Sequence, residues 1–189
     1  MTSAAIDRRG FAVRAGSLIA GLGIAGLACD AAKAAQASGG DEISHTNAAI
    51  HQEIMFAAPA ARVYEALTMT EQFDKVVRLS AAMNSGMQKM LGTTPTSIDP
   101  VAGGAFALFG GYVTGRNLEL VPNARIVQAW RAGSWDAGDY SIAKFVLLDQ
   151  GPATKLTFDH AGFPNDAAEH LAEGWHVNYW EPLAKLLAG

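Results

Sequence analysis

The chain closes on a helix that has to be buried. Leu171, Trp175, Tyr179, Leu183 and Leu186 recur at helical spacing, so one face of the last segment carries rings and leucines and needs an apolar surface to cover it. The preceding sequence supplies one. Apolar runs at Tyr112–Leu120, Arg125–Arg131, Ser141–Leu148 and Ala153–Ala161 are separated by Pro122-Asn123, by the polar loop Ser134–Tyr140 and by Gln150-Gly151-Pro152. Turns this short join antiparallel neighbours. Ala143, Phe145 and Leu147 alternate onto one face of their strand, and Leu156, Phe158 and His160 onto one face of theirs. The expectation is a curved antiparallel sheet gripping the terminal helix, with the space between them either filled by aromatic side chains or left open as a pocket. Pro182 lies inside the helix and should distort it about one turn upstream, near Asn178.

The earlier half reads as a strand followed by helices. Ala49–Phe56 contains Ile50, Ile54 and Phe56 and forms the first strand. Pro59 sits in the first turn of a helix carrying Val63, Tyr64 and Leu67. A second helix starts near Thr70, a plausible cap, and continues through Phe73, Val76, Val77 and Leu79. Ser80–Leu91 reads as a third, with Met83, Met87 and Met90 on one face. Strands resume near Thr96, with Ala105–Leu108 and a turn at Gly110-Gly111. Asn165 or Asp166 caps the final helix. The fold class is therefore α+β, in the order β-α-α-β(5–6)-α, with about six or seven strands in one sheet.

Half of the residues are hydrophobic and 17% are charged, which excludes a disordered chain. The formal net charge of −4 argues against general nucleic-acid binding. The N-terminus is set apart from the fold. Arg8-Arg9-Gly10-Phe11 resembles a twin-arginine export signal, the apolar stretch Ala15–Ala28 is too short for a confident membrane span, and Ala35-Gln36-Ala37 is a small-residue cleavage site. Residues 1–37 are accordingly expected to be a signal peptide and 38–46 a flexible linker, with residues 47–189 forming one domain in the periplasm. Cleavage after Ala37 would bring the net charge to −6 and remove Cys29, the sole cysteine. Lipidation of Cys29 is the alternative processing route.

A series of blocks then carries a family resemblance. Phe106-Ala107-Leu108-Phe109-Gly110-Gly111-Tyr112-Val113-Thr114-Gly115 leads to Glu119-Leu120-Val121-Pro122. Arg125-Ile126-Val127-Gln128-Ala129-Trp130-Arg131 and Ser134-Trp135 follow, then Gly162-Phe163-Pro164 and Gly174-Trp175 through Tyr179-Trp180. Order and spacing, over roughly Ile50 to Leu187, resemble the bacterial form of the activator of heat shock protein 90 ATPase homologue family, within the START-like, Bet v-like SRPBCC superfamily. The resemblance implies a helix-grip fold with a hydrophobic cavity between sheet and helix. It also implies a chaperone-binding role like that of the eukaryotic members, although those carry an additional N-terminal domain and an exported protein would not meet a cytosolic chaperone.

Three functions are expected on these grounds. The first is binding of a small hydrophobic ligand in the cavity, with Met83, Met87, Tyr112, Trp130, Phe145, Phe158, His160, Trp175 and Tyr179 as the lining. The second is a cyclase- or hydrolase-like enzyme using the same cavity, which needs a polar pair such as His160 with a carboxylate or with Tyr112. The third is a protein-interaction or co-chaperone module. No catalytic motif stands out, since Ser80, Ser134 and Ser141 lack a nucleophile elbow. The glycines at 103, 104, 110, 111 and 115 lack the ending of a phosphate loop. No cofactor is expected. No metal site is expected either, because His170 and His176 lie about 240° apart around a helix and Asp159 and His160 face opposite sides of a strand.

Overall fold

A computed structural model describes residues 49–84, 91–164 and 168–189. The signal segment, the linker, Met87, Met90 and the proposed cap at Asn165 or Asp166 lie outside the described residues.

β1 (Ala49–Phe56) leads into α1 (Ala60–Thr68), α2 (Thr70–Leu79) and α3 (Ala81–Asn84). β2 (Ser97–Ile98), β3 (Ala105–Leu108), β4 (Val113–Val121), β5 (Arg125–Ala132), β6 (Ser141–Asp149) and β7 (Thr154–Ala161) follow. The chain ends in α4 (Ala168–Trp175), a π-helical turn (His176–Trp180) and α5 (Glu181–Ala188). The seven strands form one sheet in the order β1-β7-β6-β5-β4-β3-β2, every pair antiparallel. Thus β2 to β7 run as a meander, and β1 returns to pair with β7 along its full length, from Ala49 opposite Ala161 to Phe56 opposite Thr154. The fold class and the order of elements along the chain are those read from the sequence. Among the described residues no helix is long and apolar enough to cross a membrane.

Alternation decides the two faces. Ile126, Gln128, Trp130 and Ala132 on β5, Ser141, Ala143, Phe145 and Leu147 on β6, and Thr154, Leu156, Phe158 and His160 on β7 all point inward and are buried. β4 keeps its inward set through a bulge: Asn117 pairs with Gln128 and Glu119 with Val127, so Leu118 is the extra residue and turns outward. A bulge bends and twists the strand, which is how an antiparallel sheet curves around a helix. The buried Asn117 is satisfied, donating to the Asp99 carbonyl at 2.9 Å and accepting from Gln128 at 3.1 Å.

Two expectations change in detail. Thr70 is not the cap of α2. Met69 occupies that position with an extended backbone and no capping side-chain bond. The Thr70 hydroxyl is spent on edge strand β2 instead: it accepts from the Ile98 amide at 2.9 Å and donates to the Ile98 carbonyl at 3.1 Å, so one side chain covers two main-chain groups that a further strand would otherwise pair. The third helix is described only over Ala81–Asn84.

Pro182 acts where its chemistry requires. It has no N–H to give the Asn178 carbonyl, and its ring crowds that carbonyl. The ladder widens upstream, and the Glu181 amide bonds the His176 carbonyl, five residues back. The expected distortion near Asn178 is thus a π turn rather than a break. Asn178 itself ties the helix down, donating to the Gly174 carbonyl at 3.0 Å and accepting from the Ala82 amide at 2.8 Å.

Candidate functional site

Trp175 is the hub of the space between sheet and helix. Its ring centroid lies 4.1 Å from that of Tyr179, 4.3 Å from Phe158, 5.5 Å from both Trp130 and His160, 5.6 Å from Trp180 and 5.8 Å from Phe145. These are contact distances for aromatic pairs. All seven residues are buried. β5 contributes Trp130, β6 Phe145 and β7 Phe158 and His160, while the helix brings the rest. Tyr179 continues the packing to Phe109 at 5.4 Å and Phe73 at 5.5 Å. Six of the nine residues expected to line a pocket therefore pack against one another.

The other three are elsewhere. Met83 is half-buried at the edge of the core. Tyr112 is 37% exposed, with its hydroxyl 3.2 Å from that of Ser134. Met87 lies outside the described residues.

His160 has two partners inside the cluster. The Trp175 Nε1–H donates to its Nδ1 at 3.0 Å, so Nδ1 carries no proton and Nε2 does. Nε2–H then donates to the Ser141 hydroxyl at 2.6 Å, and that hydroxyl donates to the Trp130 carbonyl at 3.0 Å. The chain of bonds runs one way from Trp175 to Trp130 and satisfies each member. Burial holds His160 well below the usual histidine range, at about 3, because an imidazolium there would lose its water. A serine and a histidine 2.6 Å apart resemble a nucleophile and its base, but the polarity is reversed. An activating histidine must accept the serine proton on an unprotonated nitrogen, whereas here the histidine gives a proton to the serine. No carboxylate takes part in the chain. Burial also pushes the Tyr179 phenol up. Trp130 Nε1–H lies 3.5 Å from its oxygen.

Sequence reading missed Ser141, Trp180 and Gln52. Ser141 was detectable: two residues before Ala143, the partner of His160, it shares the inward face. Trp180 lies off the α-helical stripe. The π turn brings it beneath Trp175, five residues earlier, with the rings 18° from parallel. Its Nε1–H donates to Gln52 on β1 at 2.6 Å, and Gln52 in turn donates to the Ala172 carbonyl at 3.0 Å.

Open space lies outside this cluster. A groove of about 400 Å3 is lined by Glu65, Met69, Thr70, Glu71, Gln72, Ile98 and Pro100. A smaller hollow of about 120 Å3 adjoins it across Glu65 and Gln72 and reaches Arg62, Ala66, Leu186 and Leu187. None of the eight described residues among those expected to form the pocket lines either. Among the described residues, no three His, Cys, Asp or Glu side chains converge as a metal site would require.

Comparison with known proteins places this geometry. The profile of the family described as "Activator of Hsp90 ATPase homolog 1-like protein" matches residues 57–188. The human activator of 90 kDa heat shock protein ATPase homolog 1 is 31% identical over 89 residues, covering 47% of this chain and 26% of that protein. The mouse homolog 2 is 27% identical over 124 residues, covering 65% of this chain and 38% of that protein. This chain therefore spans well under half the length of these relatives. The crystal structure of an HSP90 activator from Plasmodium falciparum superposes with a TM-score of 0.62 at 22% identity, covering 74% of this chain and 96% of that one.

Proposed function

The chain belongs to the Activator of Hsp90 ATPase homolog 1-like family, and we propose that it is an exported interaction module that works through its surface rather than a carrier of a small apolar molecule. The observation that carries this reading is the ring cluster centred on Trp175, which occupies the space where the START-like fold would hold a ligand. A carrier gains affinity by burying apolar ligand surface at about 25 cal/mol per Å2, and here protein side chains bury that surface instead. The enzyme alternative has equally little support. It requires His160 paired with a carboxylate or with Tyr112, whereas among the described residues His160 bonds Trp175 and Ser141, and that buried serine receives the proton rather than giving it.

The names of the relatives suggest activation of a chaperone ATPase. Arg8-Arg9-Gly10-Phe11, the apolar stretch after it and Ala35-Gln36-Ala37 support export of a folded protein, which favours a partner outside the cytosol. Native mass spectrometry of the protein purified from its own host tests the reading. The expected mass is the bare polypeptide of residues 38–189, with no uptake of apolar fluorescent probes. A co-purifying apolar molecule would restore the carrier, and stimulation of a heat shock protein 90 ATPase by the chain would restore the co-chaperone.

A further inference from the structure

We propose that the groove between α1, α2 and β2 is a docking site for a protein segment that carries lysine or arginine next to an apolar side chain. The proposal rests on the reading of the chain as an interaction module and assigns that reading a place.

The argument begins with a misplaced charge. The last turn of α1 holds Glu65 and no basic residue. The carbonyl end of a helix carries partial negative charge, so a carboxylate there is unfavourable and a cation would be favourable. Glu71 stands across the groove in the first turn of α2, where a carboxylate suits the helix. Neither glutamate forms an ion pair among the described residues, although Asp74, Glu119 and Glu53 all do. Arg62 lines only the smaller hollow beyond Glu65. The lining of the groove thus holds two exposed carboxylates at the end of α1 and the start of α2 and no lysine or arginine; Lys75 bonds Gln72 beside it, and Glu65 breaks a local rule without an internal gain.

The floor of the same groove is apolar. Met69 joins the two helices with a backbone extended at φ −100°, ψ 126°, and the residue is 46% exposed. Ile98 and Pro100 lie beside it. Methionine at a contact surface adapts to varied apolar partners. The main chain of Ile98 is already bound by Thr70, so a partner cannot add as a strand at that residue. Recognition falls to side chains: an aliphatic or aromatic group on Met69, Ile98 and Pro100, and ammonium or guanidinium groups on Glu65 and Glu71.

The test uses the intact chain and a fluorescein-labelled peptide of alternating lysine and leucine, read by fluorescence anisotropy. Peptides of alternating glutamate and leucine, and of alternating lysine and serine, serve as controls. Binding is expected for the lysine–leucine peptide alone and should weaken with salt. The double variant Glu65→Gln/Glu71→Gln should lower its affinity by about tenfold. The double variant Asp136→Asn/Asp139→Asn, which removes equal charge from the β5–β6 connection, should leave it within about twofold. Glu65→Gln should also hold or raise the melting temperature, which separates lost recognition from lost folding. Equal loss in both double variants would show attraction by net charge alone and overturn the proposal. Amide shift changes confined to the outer face of the sheet would overturn the groove but keep the interaction module. A dimer of the chain that the glutamate variant dissolves would make a second copy the occupant and overturn the peptide.

Discussion

The indole N–H of Trp175 donates to Nδ1 of His160 across 3.0 Å, joining the closing helix to the inner face of β7 through a bond that only an imidazole with an unprotonated Nδ1 can accept. Because His160 also serves Ser141, removing its ring strips partners from two buried groups at once. His160→Ala should cost about 3 kcal/mol, combining an unsatisfied indole with a cavity. Urea unfolding followed by circular dichroism measures it, and a loss within the error of the method would show that the chain of bonds is not structural.

Burial of the same histidine makes stability depend on acid in a definable window. The pKa of His160 falls from 6.5 to about 3 on folding, so between those values the unfolded chain binds a proton that the folded chain does not. Stability contributed by this group is complete above 6.5 and is lost as pH falls toward 3, at about 1.4 kcal/mol per pH unit where the difference is a whole proton. Glu53 and Glu119, whose carboxyls are held low by Lys155 and Arg125, titrate in wild type and variant alike and cancel in a difference. Unfolding free energy of wild type minus His160→Gln, measured from pH 7 down, should therefore fall. A difference that stays level would mean that His160 is protonated in the fold.

Part of this was legible in the sequence. β6 and β7 announce themselves because Ala143, Phe145 and Leu147 share one face of the first, and inward Leu156, Phe158 and His160 alternate with Thr157 and Asp159 on the second, across a turn at Gly151. The aromatic stripe of the closing helix followed from 3.6-residue periodicity. Whether Trp130, Phe145 and Trp175 line a space or fill it depends on curvature and summed side-chain volume, which periodicity does not carry. Trp180 was hidden because the π turn shifts the helical phase after His176. The groove was hidden because Glu65 and Pro100 come from separate elements, brought together by the Thr70–Ile98 contact.

The Phe109-Gly110-Gly111 block is held by backbone geometry. All three residues have positive φ, at 50°, 70° and 90°, and the Phe109 ring is thereby turned inward onto Phe73 at 6.1 Å. A Cβ at Gly110 would strike the backbone of Gly92, whereas one at Gly138, also at positive φ, would meet nothing within 4 Å. Gly138→Ala should cost about 1 kcal/mol for its backbone alone. Gly110→Ala should cost more than about 3 kcal/mol, because a main-chain collision is added. Melting curves of the two variants provide the comparison. Equal costs would remove the close approach of residues 92 and 110 from the account.

The π turn gives a prediction that separates packing from hydrogen bonding. Trp180 stacks on Trp175 with centroids 5.6 Å apart and donates to Gln52 at 2.6 Å, so the widened turn yields two contacts that a regular helix would direct elsewhere. Trp180→Phe keeps most of the ring and loses the donor, and should cost about 1 to 2 kcal/mol. Trp180→Ala empties the site and should cost about 4 kcal/mol. Gln52→Leu removes the acceptor and also the bond that Gln52 gives the Ala172 carbonyl, so on top of Trp180→Phe it should cost less than it does alone, by about the one bond the two variants share. A double-mutant cycle in urea reads the coupling directly. Full additivity of Trp180→Phe and Gln52→Leu would mean that the bond does not hold the π turn against β1, and the stacking of the two indoles would be left to fix the phase of the closing helix.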